Sequence, residues 1–222
     1  MDSFKQFVHG MEQLGHPLDA RKIRAFEQYL YEILRVNHAL QIISRNDLER
    51  IPSRHFLDSL MPALKGVLPQ DGVIIDIGSG GGLPGIPLAI FLPGTNFVTV
   101  ESNQKKCAFL NMVRRALSLE NLNVCHARME QLPERTSDNE YDGAVARAVG
   151  SIERLVEWSG PVLKSGGRLV CYKGPGPDAE IESAGAVMEE QDMVWEATVP
   201  YDEGAGDSPT LVVLRKYEKT DV

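Results

Sequence analysis

The chain reads as an α/β protein: a mostly parallel, doubly wound seven-stranded sheet with a C-terminal antiparallel hairpin and an N-terminal helical subdomain. Three observations predict it. Val73-Ile74-Ile75-Asp76-Ile77 is a short, mostly apolar run that ends in glycines, the pattern of a strand buried on both faces of a parallel sheet. After it, short apolar runs alternate with amphipathic stretches, which implies right-handed strand–helix–strand crossovers. The last two runs follow one another without a helix between them, so they pair antiparallel at the sheet edge.

Taken in order, Phe4, Phe7, Val8, Met11 and Leu14 recur at helical spacing. A second amphipathic helix starts at Asp19, whose side chain suits an N-cap, and carries Ile23, Phe26, Leu30, Ile33 and Leu34. Pro52 is expected to end one segment, 54–64 to form another short helix, and Gly66 and Pro69 to break the pattern. The expected boundary separates 1–68, the helical subdomain, from 69–222, the sheet domain. Strands are expected at 73–77, 96–101, 122–126, 142–147 and 167–173, and helices at 84–92, 103–118, 151–158 and 177–190. Two final strands, near 193–200 and 210–217, are joined through Glu203-Gly204-Ala205-Gly206-Asp207.

Composition narrows the class. With 43% apolar and 24% charged residues in 222, the chain is neither disordered, collagen-like nor stapled by disulfides. Cys107, Cys125 and Cys171 lack CxxC spacing, so no disulfide framework and no metal site is expected, and the compartment reads as reducing. There is no signal pattern, and the longest apolar stretch, around 85–92, is far short of a membrane span; a cytoplasmic monomer is the expectation. A net charge of −8 argues against a nucleic-acid partner only as a total. Residues 178–207 hold ten acids and no Lys or Arg, and the rest of the chain sums to +2. A basic face built from Arg21, Lys22, Arg24, Arg45, Arg54, Lys105, Lys106, Arg114, Arg115, Arg128 and Lys173 is therefore possible.

Asp76-Ile77-Gly78-Ser79-Gly80-Gly81-Gly82-Leu83-Pro84-Gly85 lies where the first strand turns into the next helix, the place where such sheets bind ligands. Gly78, Gly80 and Gly82 let the backbone turn sharply and approach a ligand, and the helix start offers unpaired N–H groups. Gly80-x-Gly82-x-x-Gly85 satisfies a dinucleotide pattern, a weak signal alone. The longer D-x-G-x-G-x-G run from Asp76 is similar to that of S-adenosylmethionine-dependent methyltransferases. Glu101, at the end of the second strand, suits the ribose hydroxyls of either cofactor. The terminal hairpin favours the Rossmann-like class I methyltransferase fold. An N/D-P-P-Y/F loop for exocyclic amines is missing after the fourth strand, where Ala146-Arg147-Ala148-Val149 stands, and no cysteine has the setting of a nucleophile. The acceptor is then one that is nucleophilic without help.

Arg54-His55-Phe56-Leu57-Asp58-Ser59-Leu60, the glycine run with Leu83-Pro84-Gly85-Ile86-Pro87-Leu88, Arg128-Met129-Glu130, Ala146-Arg147-Ala148 and Lys173-Gly174 together resemble the glucose-inhibited division protein B family, also called ribosomal small-subunit methyltransferase G. The match runs in order over about 20–175. The resemblance implies an S-adenosyl-L-methionine cofactor and methylation of N7 of a guanine in 16S rRNA of the small ribosomal subunit. It also implies cofactor contacts from Asp76, Gly78, Gly80, Gly82 and Leu83, from Glu101 and Ser102 at the ribose, from Met129 and Glu130 at the adenine, and from Arg147 beside the methionine part. Arg54, His55, Arg128 and Lys173 are then expected at the RNA, with Arg147 and Lys173 orienting the reactants. Guanine N7 carries a free lone pair, so no general base is expected. Two departures fall in expected RNA-contact regions: Asn37-His38-Ala39-Leu40-Gln41-Ile42-Ile43-Ser44 replaces the family's N-K-x-x-N-L-T, and Pro209-Thr210 replaces Arg-His. The rival readings are a non-catalytic cofactor-binding module of ribosome assembly, a methyltransferase for another RNA or a small molecule, and, least favoured, a dinucleotide-dependent oxidoreductase.

Overall fold

The computed structural model describes residues 3–132, 140–201 and 208–217. Helices α1 (Ser3–Gln13) and α2 (Ala20–Leu40) open the chain. Asp19 caps α2 as expected, its Oδ1 accepting from the amides of Arg21 and Lys22 at 2.8 Å each. A 3₁₀ turn (Arg45–Arg50), a π turn (Ile51–Phe56) and α3 (Leu57–Leu64) then follow without a break. Pro52 does not end a segment, contrary to expectation. It stands in the first turn of the π segment, where its missing N–H is not needed.

The sheet comprises β1 (Val73–Ile77), β2 (Asn96–Glu101), β3 (Leu122–His126), β4 (Tyr141–Arg147), β5 (Leu163–Lys173), β6 (Met193–Pro200) and β7 (Thr210–Lys216). Their order is β3-β2-β1-β4-β5-β7-β6. β1 to β5 are parallel, and β7 runs antiparallel between β5 and β6. The helices that join them are α4 (Gly85–Phe91), α5 (Gln104–Ala116) and α6 (Ile152–Ser159). The expected helix over 177–190 is interrupted at Ala184, giving α7 (Asp178–Ser183) and α8 (Gly185–Glu190). β5 starts four residues earlier than expected, because Gly166-Gly167 carries the chain through an irregular register instead of ending it: Tyr141 pairs with Leu163, and the pairing shifts before Gly143 meets Arg168. The hairpin connection at 203–207 lies outside the described residues.

Both faces of the sheet's centre are covered. Ile74, Phe97, Val145 and Val170 share one buried cluster with Phe7, Phe26 and Phe56 of the N-terminal helices. Ile75, Ala144, Ala146 and Leu169 share the other with Ile152, Leu155 and Val156 of α6. Aromatic contacts knit the first cluster, with Phe7 edge-on to Phe26 at 4.9 Å and Tyr29 stacked on Phe56 at 5.3 Å. The helical segment is thus pressed onto the sheet beside its glycine loop. Register does the rest: Ile77 pairs with Val100 and Ala146, and Arg147 with Tyr172, so Asp76, Glu101, Arg147 and Lys173 arrive at one edge, where the strand order reverses between β1 and β4.

Candidate active site

The loop after β1 takes the backbone path that its glycines permit. Gly78, Gly80 and Gly82 have φ of +65°, +57° and +95°, the left-handed region that a Cβ disfavours. Gly81 is needed for a different reason, since a Cβ there would run into the Ile42 side chain. The loop is fastened from three sides. Tyr29 of α2, fully buried, donates from its hydroxyl to the Gly81 carbonyl at 2.7 Å. Asp76 Oδ2 accepts from the Gly85 amide at 3.0 Å. Glu101 Oε2 accepts from the Gly80 amide at 2.9 Å, and its Oε1 from the Asn103 amide at 2.7 Å.

Two acids thereby acquire different characters. Asp76 is fully buried and its Oδ1 has no hydrogen-bond partner. Burial pushes its carboxyl up to about 7. Glu101 keeps accepting capacity on both oxygens beyond its two backbone donors.

A cleft of about 240 Å³ opens in front of this loop, walled by Gly78, Glu101, Ser102, Arg128, Met129 and Glu130, with Val149 and Trp158 opposite. The structure thus brings together five of the expected cofactor residues, while Asp76, Gly82 and Leu83 are buried rather than lining it. Arg128, expected at the RNA, joins the same cleft. Trp158 was not legible as a site residue, because on an amphipathic helix it reads as core. Arg154 lies 4.8 Å over its ring and 3.5 Å from Glu130, fencing the rim. A carboxylate with spare lone pairs and an apolar-walled cleft suit the ribose and adenine parts of S-adenosylmethionine, and the buried Asp76 behind the loop suits its cationic methionine part at a distance.

On the other side of Ala148 lies a larger cleft of about 1240 Å³, lined by Arg50, Arg54, His55, Lys65, Arg147 and Lys173. Asp58 is the only carboxylate among its described lining residues. Three of the expected RNA residues meet here with two that the sequence did not single out, Arg50 and Lys65, whose local pattern is that of ordinary solvated charges. Arg147 spans the gap between the sheet and the π turn. Its Nη1 donates to the His55 carbonyl at 3.1 Å and to Ser59 Oγ at 3.2 Å, and its Nη2 to His55 Nδ1. Burial, with this guanidinium second, holds His55 down at about 4, so the ring is neutral with its proton on Nε2. Lys173 donates to the Gly150 carbonyl at 2.8 Å and to Glu180 Oε1 at 2.6 Å, and the same oxygen accepts from the Ile152 amide at the start of α6. Its charge is therefore matched within the protein.

The two departures also find their places. Asn37 exchanges two hydrogen bonds with the Ile43 backbone, and Ile42 packs against Gly81, so this segment covers the glycine loop. Pro209 lines the larger cleft, and Thr210 donates to the Gly174 carbonyl at 3.1 Å. The single basic face is divided: Arg21, Lys22 and Arg24 lie with residues 116–121, at the edge where β2 and β3 begin. Among the described residues no His, Cys, Asp and Glu group could hold a metal ion, and no helix is long and apolar enough to cross a membrane. Burial raises Cys171 to about 12 and Cys107 above its usual value, which leaves neither thiol activated as a nucleophile.

Known proteins match this architecture. The crystal structure of M. jannaschii TYW2 in complex with AdoMet superposes with a TM-score of 0.60 at 16% identity, over 75% of this chain and 76% of that one. A SAM-dependent O-methyltransferase from Thermotoga maritima gives 0.57 at 15%, over 87% and 73%. Such distant likenesses establish the class I methyltransferase fold. The sequence comparisons reach further. The ribosomal RNA small subunit methyltransferase G of Alkaliphilus metalliredigens is 33% identical over 99% of this chain and 93% of its own length. That of Stutzerimonas stutzeri is 38% identical over 80% and 81%. The family model described as GidB, rRNA small subunit methyltransferase G, matches residues 22–204. With the glycine loop, the acid after β2 and the seven-stranded order all in place, the chain belongs to the rRNA small subunit methyltransferase G family of S-adenosylmethionine-dependent methyltransferases.

Proposed function

We propose that this chain methylates N7 of a guanine in 16S rRNA of the small ribosomal subunit, and that its residues act by orientation, without a general base. The observation that carries the reading is the meeting of two unlike clefts at one sheet edge: a small one with a carboxylate and an apolar wall, and a large basic one, with 146–150 between them. When bound, S-adenosylmethionine supplies an electrophilic sulfonium methyl. Glu101 receives the ribose hydroxyls on its spare lone pairs, Met129 and Trp158 enclose the adenine, and Asp76, buried behind the glycine loop, sets a negative charge near the cationic methionine part without touching it. Arg50, Arg54 and Lys65 neutralise phosphates of the incoming strand. Arg147 and Lys173 act as positioning residues: their hydrogen bonds fasten the π turn and the start of α6, the two walls between which the purine enters.

Guanine N7 has no proton to remove at neutral pH, so holding donor and acceptor in line is the main task, and orientation of this kind supplies roughly 7–11 kcal/mol. His55 fits that account, being neutral with Nδ1 committed to Arg147. The test is methyl transfer from labelled S-adenosylmethionine to 16S rRNA or to small subunits lacking the modification, with the product base identified. N7-methylguanine is expected, with a turnover rate independent of pH between 6 and 9 at saturating substrates. Label on an exocyclic amine or a ring carbon, cofactor binding without transfer, or a rate that follows a single base would overturn the reading.

A further inference from the structure

The groove at the opposite edge of the sheet is a second basic surface, about 730 Å³ in volume, and the methyl-transfer clefts do not explain it. One wall is the start of α2, which presents Arg21 and Arg24 in the open and Lys22 half-buried, its ammonium 4.9 Å over the Phe91 ring. The other wall is the turn from α5 into β3. Asn121 pins that turn, donating from Nδ2 to the carbonyls of Ala89, Leu92 and Thr95 at 3.1, 3.2 and 2.9 Å. The groove is thus pre-formed between two rigid elements, with the basic last turn of α5, Arg114 and Arg115, just beyond.

Two carboxylates line it, and they differ. Asp19 is occupied by the α2 amides, which hold it ionised and below the usual carboxylate range, while Glu120 stands on the opposite wall. None of Arg21, Lys22 and Arg24 enters a salt bridge among the described residues, whereas Arg35, Arg54, Arg154, Arg168, Lys164 and Lys173 each have a carboxylate partner. Arg21, Arg24 and Gln28 follow one stripe of the helix, with a rise of roughly 4.5 Å between the backbone positions of the two arginines, so that their long side chains can reach separate phosphates along an extended backbone. The groove shares no lining residue with either methyl-transfer cleft, and Arg21 stands eight residues, roughly 12 Å along α2, before the Tyr29 that fastens the glycine loop. A single nucleotide cannot bridge that distance; a polynucleotide can.

We propose that this groove is an RNA-backbone anchor, remote from the methyl-transfer site and used only by long RNA. The proposal rests on the rRNA reading above. Its test is the triple variant Arg21→Gln, Lys22→Gln, Arg24→Gln, which preserves helix propensity. Affinity is measured against salt for full-length 16S rRNA and for a short guanine-bearing oligonucleotide that spans only the methyl-transfer cleft, with S-adenosylmethionine affinity and the melting temperature as controls of the fold. Full-length RNA is expected to bind at least tenfold more weakly at low salt, with a slope of log affinity against log salt about two less steep. The oligonucleotide and the cofactor are expected to bind as before. Unchanged affinity and slope for full-length RNA, or an equal loss on both RNAs, overturns the anchor. So does a loss seen only on assembled subunits, which would make the occupant a ribosomal protein. If the unmodified protein methylates RNA and the variant binds it normally, the groove alone is refuted; if the unmodified protein neither binds nor methylates RNA, the rRNA reading falls and takes the groove with it.

Discussion

Replacing Asp76 with Asn should strengthen the cofactor-free protein while weakening its hold on the cofactor. The carboxyl rises from 3.8 to about 7 because it is buried, so between those values the folded protein keeps a proton that the unfolded chain has lost. Stability therefore falls as pH rises from about 4 to about 7 and stays reduced above that. The difference amounts to roughly 4 kcal/mol at pH 8, at ~1.36 kcal/mol per pH unit. Asp76→Asn removes this cost and keeps an oxygen for the Gly85 amide. Its NH₂ then lies where Oδ1 has no partner, an orphan donor worth about 1–3 kcal/mol, which leaves a net gain of about 1–3 kcal/mol. The negative charge lost from behind the glycine loop no longer attracts the cationic methionine part of the cofactor, a through-space loss of about 1–3 kcal/mol, or roughly five- to a hundredfold in affinity.

His55 acts with the opposite sign: held down at about 4, it contributes stability that is present above pH 6.5 and lost as pH falls towards 4. The quantity to compare is therefore the difference between the two proteins from pH 6.5 to 8, in which the His55 contribution, common to both, cancels. Over that range the unmodified protein should lose about 0.8 kcal/mol relative to the variant. Urea denaturation without cofactor and calorimetry with S-adenosylmethionine measure the two effects. A variant less stable than its parent throughout this range, or one with unchanged cofactor affinity, would refute the argument.

Gly81→Ala should cost about 1–3 kcal/mol by driving its Cβ into Ile42, and Ile42→Ala should recover much of it; a double-mutant cycle in denaturant checks the coupling, and simple additivity of the two losses would contradict the contact. Tyr29→Phe leaves the Gly81 carbonyl without its buried donor, for an expected loss of about 1–3 kcal/mol, and at this chain length each kcal/mol lowers the melting temperature by roughly 2–4 °C. Trp158→Ala should weaken S-adenosylmethionine binding by about 1 kcal/mol, roughly fivefold, in addition to a loss of about 1–3 kcal/mol in the cofactor-free protein because its half-buried ring also packs against the second core cluster; an unchanged cofactor affinity in calorimetry would contradict its place in the cleft wall.

How much of this could be read beforehand divides along the range of the interactions. The strands at 73–77, 96–101 and 122–126, the Asp19 cap and the left-handed glycines were legible because each depends on neighbours within a few residues: a side-chain period, a cap two and three positions from its amides, a Cβ clash with its own backbone. Pro52 misled because a breaker disrupts only if its surroundings supply no alternative, and here a π turn supplies one; the start of β5 at Leu163 was not legible because the pairing that extends it runs through an irregular register with β4.

The charged residues were harder still. Nothing local distinguishes Lys173, which is bound to Glu180, from Lys65, which lines the larger cleft, or shows that Arg147 clasps His55, 92 positions away. Chain order and periodicity suffice for the sheet, the glycine loop and the family, because backbone sterics and apolar patterning act at short range. Which carboxylate is desolvated, which cation is neutralised, and that the basic residues divide between two edges instead of sharing one face all depend on distances between segments remote in sequence, and those distances exist only once the chain has folded.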